Sequence, residues 1–409
     1  MIPHNKFYVR RLPAEQPPYQ IDADRYHRFD QRNNLTVGRP NWDPSVKAFT
    51  DKVSETRTRR IRVGERGYGV KDYGLFLAAG AATFEYQFAT DINQSNRGMT
   101  AWQTPRQRYK LEGVPRWEGT PEDASAMVKR AARLFGADLV GIAPLNPLWI
   151  YSHAFWEDGT HKEIVFDTAD TPTETDTQLI IPRTMKWVIV MGKRMNVDNI
   201  AFTPSPVGCA ETHHTYGLMA LLVSTVAQFL RQIGYQAIPA LNDLGLNVPM
   251  AIDAGFGEQG RNGKLITPEF GPSVRLCKVI TDLPLARDYP IRFGVGEFCK
   301  VCRKCADECP SNAIPKGERT WSGPNISNNP GQYTWHLNHE SCRRYWAMGP
   351  GDNCTICIRS CPFTKKPGGV HDLTRAVISF APVLNPVWRN LDDLLGYGKQ
   401  QDTDRFWNG

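Results

Sequence analysis

Eight of the ten cysteines in this 409-residue chain fall between Cys299 and Cys361. The first run reads Cys299-x2-Cys302-x2-Cys305-x3-Cys309-Pro310. The second reads Cys354-x2-Cys357-x3-Cys361-Pro362, with Cys342 standing apart. Thiolates at these spacings can converge on iron, and the chemistry they offer is one-electron transfer. Zinc sites take four ligands and favour close cysteine pairs, and they do not predict this rhythm twice, each time closed by proline. Disulfides suit small secreted scaffolds, not a long chain with its cysteines gathered in one window. The pattern therefore predicts two 4Fe–4S cubes.

The x2, x2, x3 run is that of bacterial two-cluster ferredoxins, in which the fourth cysteine of each run ligates the other cube. One cube is assigned Cys299, Cys302, Cys305 and Cys361. The other is assigned Cys309, Cys342, Cys354 and Cys357. Two cubes make a relay for single electrons, so the remaining chain must hold what the relay feeds.

Composition bounds that remainder. The length suggests two or three domains, and 41% hydrophobic with 11% aromatic residues is ordinary for a globular protein. A formal net charge of +7 is mild for this length and does not call for nucleic acid. No apolar run reaches the roughly 18–20 residues of a membrane span. The most apolar stretch, Leu218 to Leu230, carries Ser224, Thr225 and Gln228. Arg10-Arg11 is followed by prolines and polar residues, which is not a signal peptide as it stands. A complete chain would be cytoplasmic; a mature form that has lost its leader would not.

Residues 1–115 lack a clean period and are rich in proline and glycine, so an extended arm wrapping the body is expected. Arg57, Arg59, Arg60, Arg62 and Arg66 form a basic run, read as a solvated face in preference to a site for RNA or anionic lipid. Leu75 to Phe88 reads as an apolar helix. The unit at 116–295 opens on Thr120 as an N-cap, with Glu122 and Asp123 in the first turn. Strands are expected at 138–143, 186–191, 235–240 and 274–280, with a loop-rich insertion at 151–176. A long helix is expected from Glu211 to Ile233. Strands interleaved with helices imply an α/β layer. Residues 296–366 form the ferredoxin-like domain. The tail, 367–409, is expected to pack back through Leu391, Leu394, Leu395 and its late aromatics.

Gly255-Phe-Gly257-Glu-Gln-Gly260 matches a dinucleotide fingerprint. That motif must open a helix, and none can be drawn through Arg261, Asn262, Gly263 and Pro268. The glycine-rich stretch reads instead as backbone approaching a large flat ligand closely.

The order Thr212-His-His-Thr-Tyr216, Gly234-Tyr235, Ala254 to Arg261, Leu265 to Gly271, Val274-Arg275, Thr281-Asp-Leu-Pro284 and Phe298-Cys299 resembles the corrinoid-dependent reductive dehalogenases. The likeness covers roughly residues 120–366. It implies an α+β chain: a nitroreductase-like α/β domain holding a cobalamin-type corrinoid, joined to the two-cluster domain. It implies Tyr216 as proton donor, supported by Arg275 and by Asn242. Thr212, one turn before Tyr216, and Gly255, Gly257, Gly260 and Gly271 become candidate cofactor contacts. Some corrinoid proteins ligate cobalt through Asp-x-His-x-x-Gly, but none of the nine histidines follows an aspartate by two residues. Cobalt without a protein histidine ligand is the reading.

The physical chemistry agrees. Replacing halogen by hydrogen needs two electrons and a proton, and a phenol, ordinarily of pKa near 10, gives its proton best when a cation stabilises the phenolate. Cys209 and Cys277 read as buried small hydrophobes. Trp321, Trp335, Tyr345 and Trp346 read as core near the cubes. The expected partners are a small organohalide and a low-potential electron donor, with peripheral membrane association and no nucleic acid. The resemblance also carries an alternative location, exported behind a twin-arginine leader and held at the outer face of the cytoplasmic membrane. Two other readings stand beside this one. The epoxyqueuosine reductases, which modify tRNA, share both modules but want a carboxylate donor where Tyr216 stands. A non-catalytic iron–sulfur carrier would leave the long upstream domain without a purpose.

Overall fold

Four strands of almost uniformly apolar sequence set the frame: β1 (Leu139–Pro144), β2 (Trp187–Arg194), β3 (Ala237–Ala240) and β4 (Val274–Thr281). In the computed structural model they lie in the order β1-β2-β4-β3, every neighbouring pair antiparallel. The structure describes residues 6–87, 101–102, 113–156, 159–351, 353–366 and 368–408, apart from the side chains of 82–87. Both faces of the sheet are covered, which is why its strands run apolar instead of alternating.

On one face Val140, Ile142, Ile189, Met191, Cys277 and Val279 pack against two helices. Preceding these in the chain is α1 (Val70–Gln87), then α2 (Pro121–Leu134) and, after β2, α3 (Pro206–Gln232). The sheet face takes α2 and α3, and α1 runs along α3. Thr120 caps α2 as expected, its hydroxyl accepting from the Asp123 amide at 3.1 Å. Helix α3 begins five residues earlier than the sequence suggested. Pro206 at its first position and the Ser205 cap set that start. At 27 residues it is about 40 Å long. On the other face lie Leu276, Ile280, Val188 and Val190, packed against α4 (Asn247–Asp253) and a second sheet.

That second sheet corrects the loop-rich insertion expected at 151–176. His153–Phe155, His161–Asp167, Gln178–Pro182 and Thr173–Glu174 form four strands in that order. The strands are short and half exposed, so their apolar alternation is faint in the sequence. The N-terminal region also departs from expectation. Arg10–Arg11 pairs with Ile291–Arg292, but Pro44–Thr50, Val53–Arg62 and α1 are helices, not extended chain. Within the basic run, Arg57 donates to the Gly351 carbonyl at 2.7 Å, Arg60 pairs with Glu65 and Arg66 with Asp404. Phe88, expected in the apolar helix, lies outside the described residues.

The C-terminal segment docks by ion pairs more than by its leucines. Lys304 pairs with Asp392 at 2.5 Å and with Asp393 at 2.9 Å, and Lys365 with Asp392 at 2.9 Å. Leu394 is 83% exposed and Leu395 60%.

The hairpin after α4 tolerates no side chain at Gly257. A Cβ there would lie 1.9 Å from the Ile266 carbonyl oxygen, on a backbone of φ +158°. Gly257→Ala is expected to destabilise the fold by about 3 kcal/mol or more. A lowered midpoint in urea or thermal unfolding checks it.

Candidate active site and electron relay

Helix α3 places Thr212 and Tyr216 one turn apart on the same face. Strand β4 runs beneath that helix and alternates, so Arg275 faces the helix with Cys277 and Val279, while Leu276 and Lys278 face the opposite side. Arg275 donates to the Thr212 hydroxyl at 3.2 Å. Its guanidinium carbon lies 5.3 Å from the centre of the Tyr216 ring, within range of a cation–π contact. The Arg275 Nε is buried without a partner among the described residues.

The Tyr216 hydroxyl is reached by Asn242, whose Nδ2 donates to it at 2.8 Å. So it is Asn242 that touches the phenolic oxygen, while Arg275 lies against the ring. Asn242 is exposed and Tyr216 half-buried, so the pair is accessible to a ligand.

Two groups that the sequence reading did not name hold this arrangement. Asn247 donates to Asn242 Oδ1 at 3.1 Å and to the Leu241 carbonyl at 2.8 Å. Lys278, fully buried, donates to the carbonyls of Leu241 and Asp243 and to Asn247 Oδ1, at 3.0, 2.8 and 2.8 Å. Burial pushes its ammonium down to about 8, against the attraction of Asp243. The available signal was a lysine in the middle of a buried strand.

Thr212 is 1% exposed, and its hydroxyl lies 3.8 Å from the Met195 sulfur. Met195 packs with Ile200, Ile358 and Cys357. Burial pushes the Cys357 thiol up, and the charges of Lys264 and Arg275 oppose that shift. The Arg275 charge thus acts on both the Tyr216 ring and the Cys357 thiol.

The cysteines separate into two groups. Cys299, Cys302, Cys305 and Cys361 line a single hollow with Phe298 and Phe363. Cys342 feels Cys357 and Cys309, and Cys354 feels Cys357 and Cys342, each neighbour adding to the upward push that burial gives these thiols. All ten cysteines are free of disulfides. Equivalent turns shape the two runs. Arg303 and Thr355 each take a left-handed backbone, at φ 52° and 54°, and each precedes a one-turn helix carrying the next cysteine. A β-branched residue there is unusual, and the pairing of two such positions fits curvature imposed on each loop by a common centre. The leftover Cys209 and Cys277 are buried.

The glycine-rich stretch is a clamp on this module. No helix follows Gly255-x-Gly257-x-x-Gly260; Glu258–Gln259 instead pairs with Leu265–Ile266 as a hairpin. At its tip Arg261, 1% exposed, donates to the carbonyls of Cys299, Pro315 and Gly317 at 2.9, 2.7 and 2.8 Å. Asn262 donates to the Cys357 carbonyl at 3.1 Å. One turn thus holds both cysteine runs. The candidate cofactor glycines meet the chain itself. A Cβ would lie 2.5 Å from the Tyr289 carbonyl oxygen at Gly255, 2.9 Å from the Ile266 side chain at Gly260 and 2.3 Å from the Phe363 carbonyl oxygen at Gly271. Gly260 also lines the hollow of the first cysteine group. The aromatic residue Trp335 is core, stacked between the guanidinium groups of Arg261 and Arg319 at 4.5 and 4.3 Å.

Comparison with known proteins supplies the family. The 4Fe-4S double cluster binding domain family matches residues 298–364. Tetrachloroethene reductive dehalogenase of Sulfurospirillum multivorans is 39% identical over 394 residues, covering 91% of this chain and 78% of that protein. The chain belongs to the reductive dehalogenase family. Members of that family are oxidoreductases. Chloroethene reductive dehalogenase of Dehalococcoides mccartyi strain VS is 30% identical over 98% of this chain and 79% of its own length. Against other reductive dehalogenases the chain is partial: it spans 57% of the tetrachloroethene reductive dehalogenase of Dehalobacter restrictus, at 37% identity. The structure of the catabolic reductive dehalogenase NpRdhA superposes with a TM-score of 0.70 over 97% of this chain and 50% of that one, at 21% identity. That likeness establishes a shared α+β fold. No described helix is long and apolar enough to cross a membrane.

Proposed function

We propose that this reductive dehalogenase replaces a carbon-bound halogen of a small organohalide by hydrogen. The balance is R–X plus two electrons and one proton, giving R–H and halide. The observation that carries the reading is the hydroxyl of Tyr216, held by Asn242 at 2.8 Å, beside an arginine whose charge also reaches Cys357. On this reading the proton comes from Tyr216 and the electrons from the side of Cys357.

Tyr216 gives the proton from its hydroxyl. Asn242 donates to the oxygen and so stabilises the phenolate left behind. Arg275 supplies positive charge at the ring and is itself held by Thr212. Cys299, Cys302, Cys305 and Cys361, and Cys309, Cys342, Cys354 and Cys357, would hold two cubes able to pass electrons singly from an external low-potential donor. The second group contains Cys357, the thiol that feels Arg275.

A cobalamin-type corrinoid fits this place. One solved relative is described as performing B12-dependent dehalogenation. In this chain the buried Arg275 Nε is a donor still to be satisfied, and Tyr216 and Asn242 form an accessible polar edge. Bound there, the corrinoid would supply cobalt in a strongly nucleophilic low-valent form, which iron–sulfur cubes cannot present to carbon. Thr212 would act through Arg275, since its hydroxyl is already occupied.

Anaerobically reconstituted protein is expected to hold about eight irons and one cobalt, to show corrinoid optical bands, and to release halide when reduced. Cobalt absent after reconstitution would remove the proposal. Within the basic run that favoured the tRNA-modifying reading, Arg57, Arg60 and Arg66 each have a partner within the chain.

A further inference from the structure

The loop carrying Asn242 is held by every carbonyl it offers. The Leu241 carbonyl accepts from Lys278 and Asn247, the Asn242 carbonyl from the Tyr151 hydroxyl at 3.2 Å, and the Asp243 carbonyl from Lys278 at 2.8 Å. Lys278 therefore grips the residues on either side of Asn242. A buried ammonium is costly unless its protons are all bonded, and here its three donors meet three oxygens.

The same ammonium, together with the Leu241 and Leu276 carbonyls that accept from Asn247 Nδ2 at 2.8 and 3.2 Å, settles which way two amides face. Because Asn247 Oδ1 accepts from Lys278, its Nδ2 is the group left for Asn242. Because Asn242 Oδ1 accepts from Asn247, its Nδ2 is the group left for Tyr216. The Tyr216 oxygen then accepts, and its own hydrogen is directed away from Asn242. Were the Asn242 amide reversed, the tyrosine would spend that hydrogen on the Asn242 oxygen.

We propose that Lys278 and Asn247 are positioning residues that fix the Asn242 amide, so that the Tyr216 proton stays available to the substrate. This rests on Tyr216 being the proton donor. Neither residue touches the reacting atoms; both act through Asn242.

The test compares Lys278→Met and Asn247→Ala holoenzyme with the parent, in anaerobic halide-release assays alongside iron, cobalt and unfolding measurements. Each variant is expected to lower kcat by up to about 100-fold, with KM within about twofold and cofactor content unchanged. In an Asn242→Ala background the same substitutions should cost little more, because the residue they orient is gone. Asn247 lies at the more open end of the chain of bonds, so its variant decides the question if Lys278→Met does not fold. Retention of kcat within about twofold by folded, loaded Asn247→Ala would overturn the inference. An equal loss with and without Asn242 would overturn it too, as the mark of general damage. Full activity of Tyr216→Phe would instead overturn the reading on which it rests.

Discussion

Tyr216→Phe is expected to lower kcat by about a thousandfold while leaving iron, cobalt and fold intact. General acids contribute roughly 10²- to 10⁴-fold, and the hydroxyl is the group offered for that role. Phenylalanine keeps the ring, so the contact with Arg275 at 5.3 Å survives. Only one hydrogen bond is lost, from Asn242, and both residues are at least partly open to water, which can replace it. The loss should therefore fall on kcat, with KM nearly unchanged. Halide release by the reduced holoenzyme measures it. A Tyr216→Phe rate within about threefold of the parent would mean that the proton comes from elsewhere.

Cys357→Ala should cut bound iron from about eight to about four per chain and abolish turnover. Cys357 packs on Met195 and feels Arg275, and on the proposed reading its cube is the one that feeds the site. The clamp should survive the change, because Asn262 holds the backbone carbonyl of Cys357 and not its sulfur. Arg261 keeps its grip on the Cys299 carbonyl as well. The first cube should therefore remain, visible as a single reduced species by electron paramagnetic resonance. Eight irons, or turnover near the parent rate, would show that Cys357 is not a ligand.

Why some of this was legible in the sequence, and some not, follows from range. The cysteine rhythm is local, and a ligand set read from spacing needs no tertiary information. The capped start of α2 and the apolar strands of the main sheet are local too. Tyr216, Asn242 and Arg275 became candidates through family likeness, since a single tyrosine or arginine carries little information. The hairpin tip that clamps both runs was invisible, because Arg261 finds its three carbonyls between 38 and 56 positions away along the chain. Lys278 was passed over because its partners, too, lie on a distant loop. The second sheet was missed for a different reason. Its strands are too short and too exposed to show a period.

The shared hollow of Cys299, Cys302, Cys305 and Cys361 bears on how the protein is made. A ribosome delivers the first three of these thiols well before the fourth, so the full set of four thiolates does not exist on the nascent chain at that stage. The four-thiol site is complete only once the later run has emerged and folded back against the first.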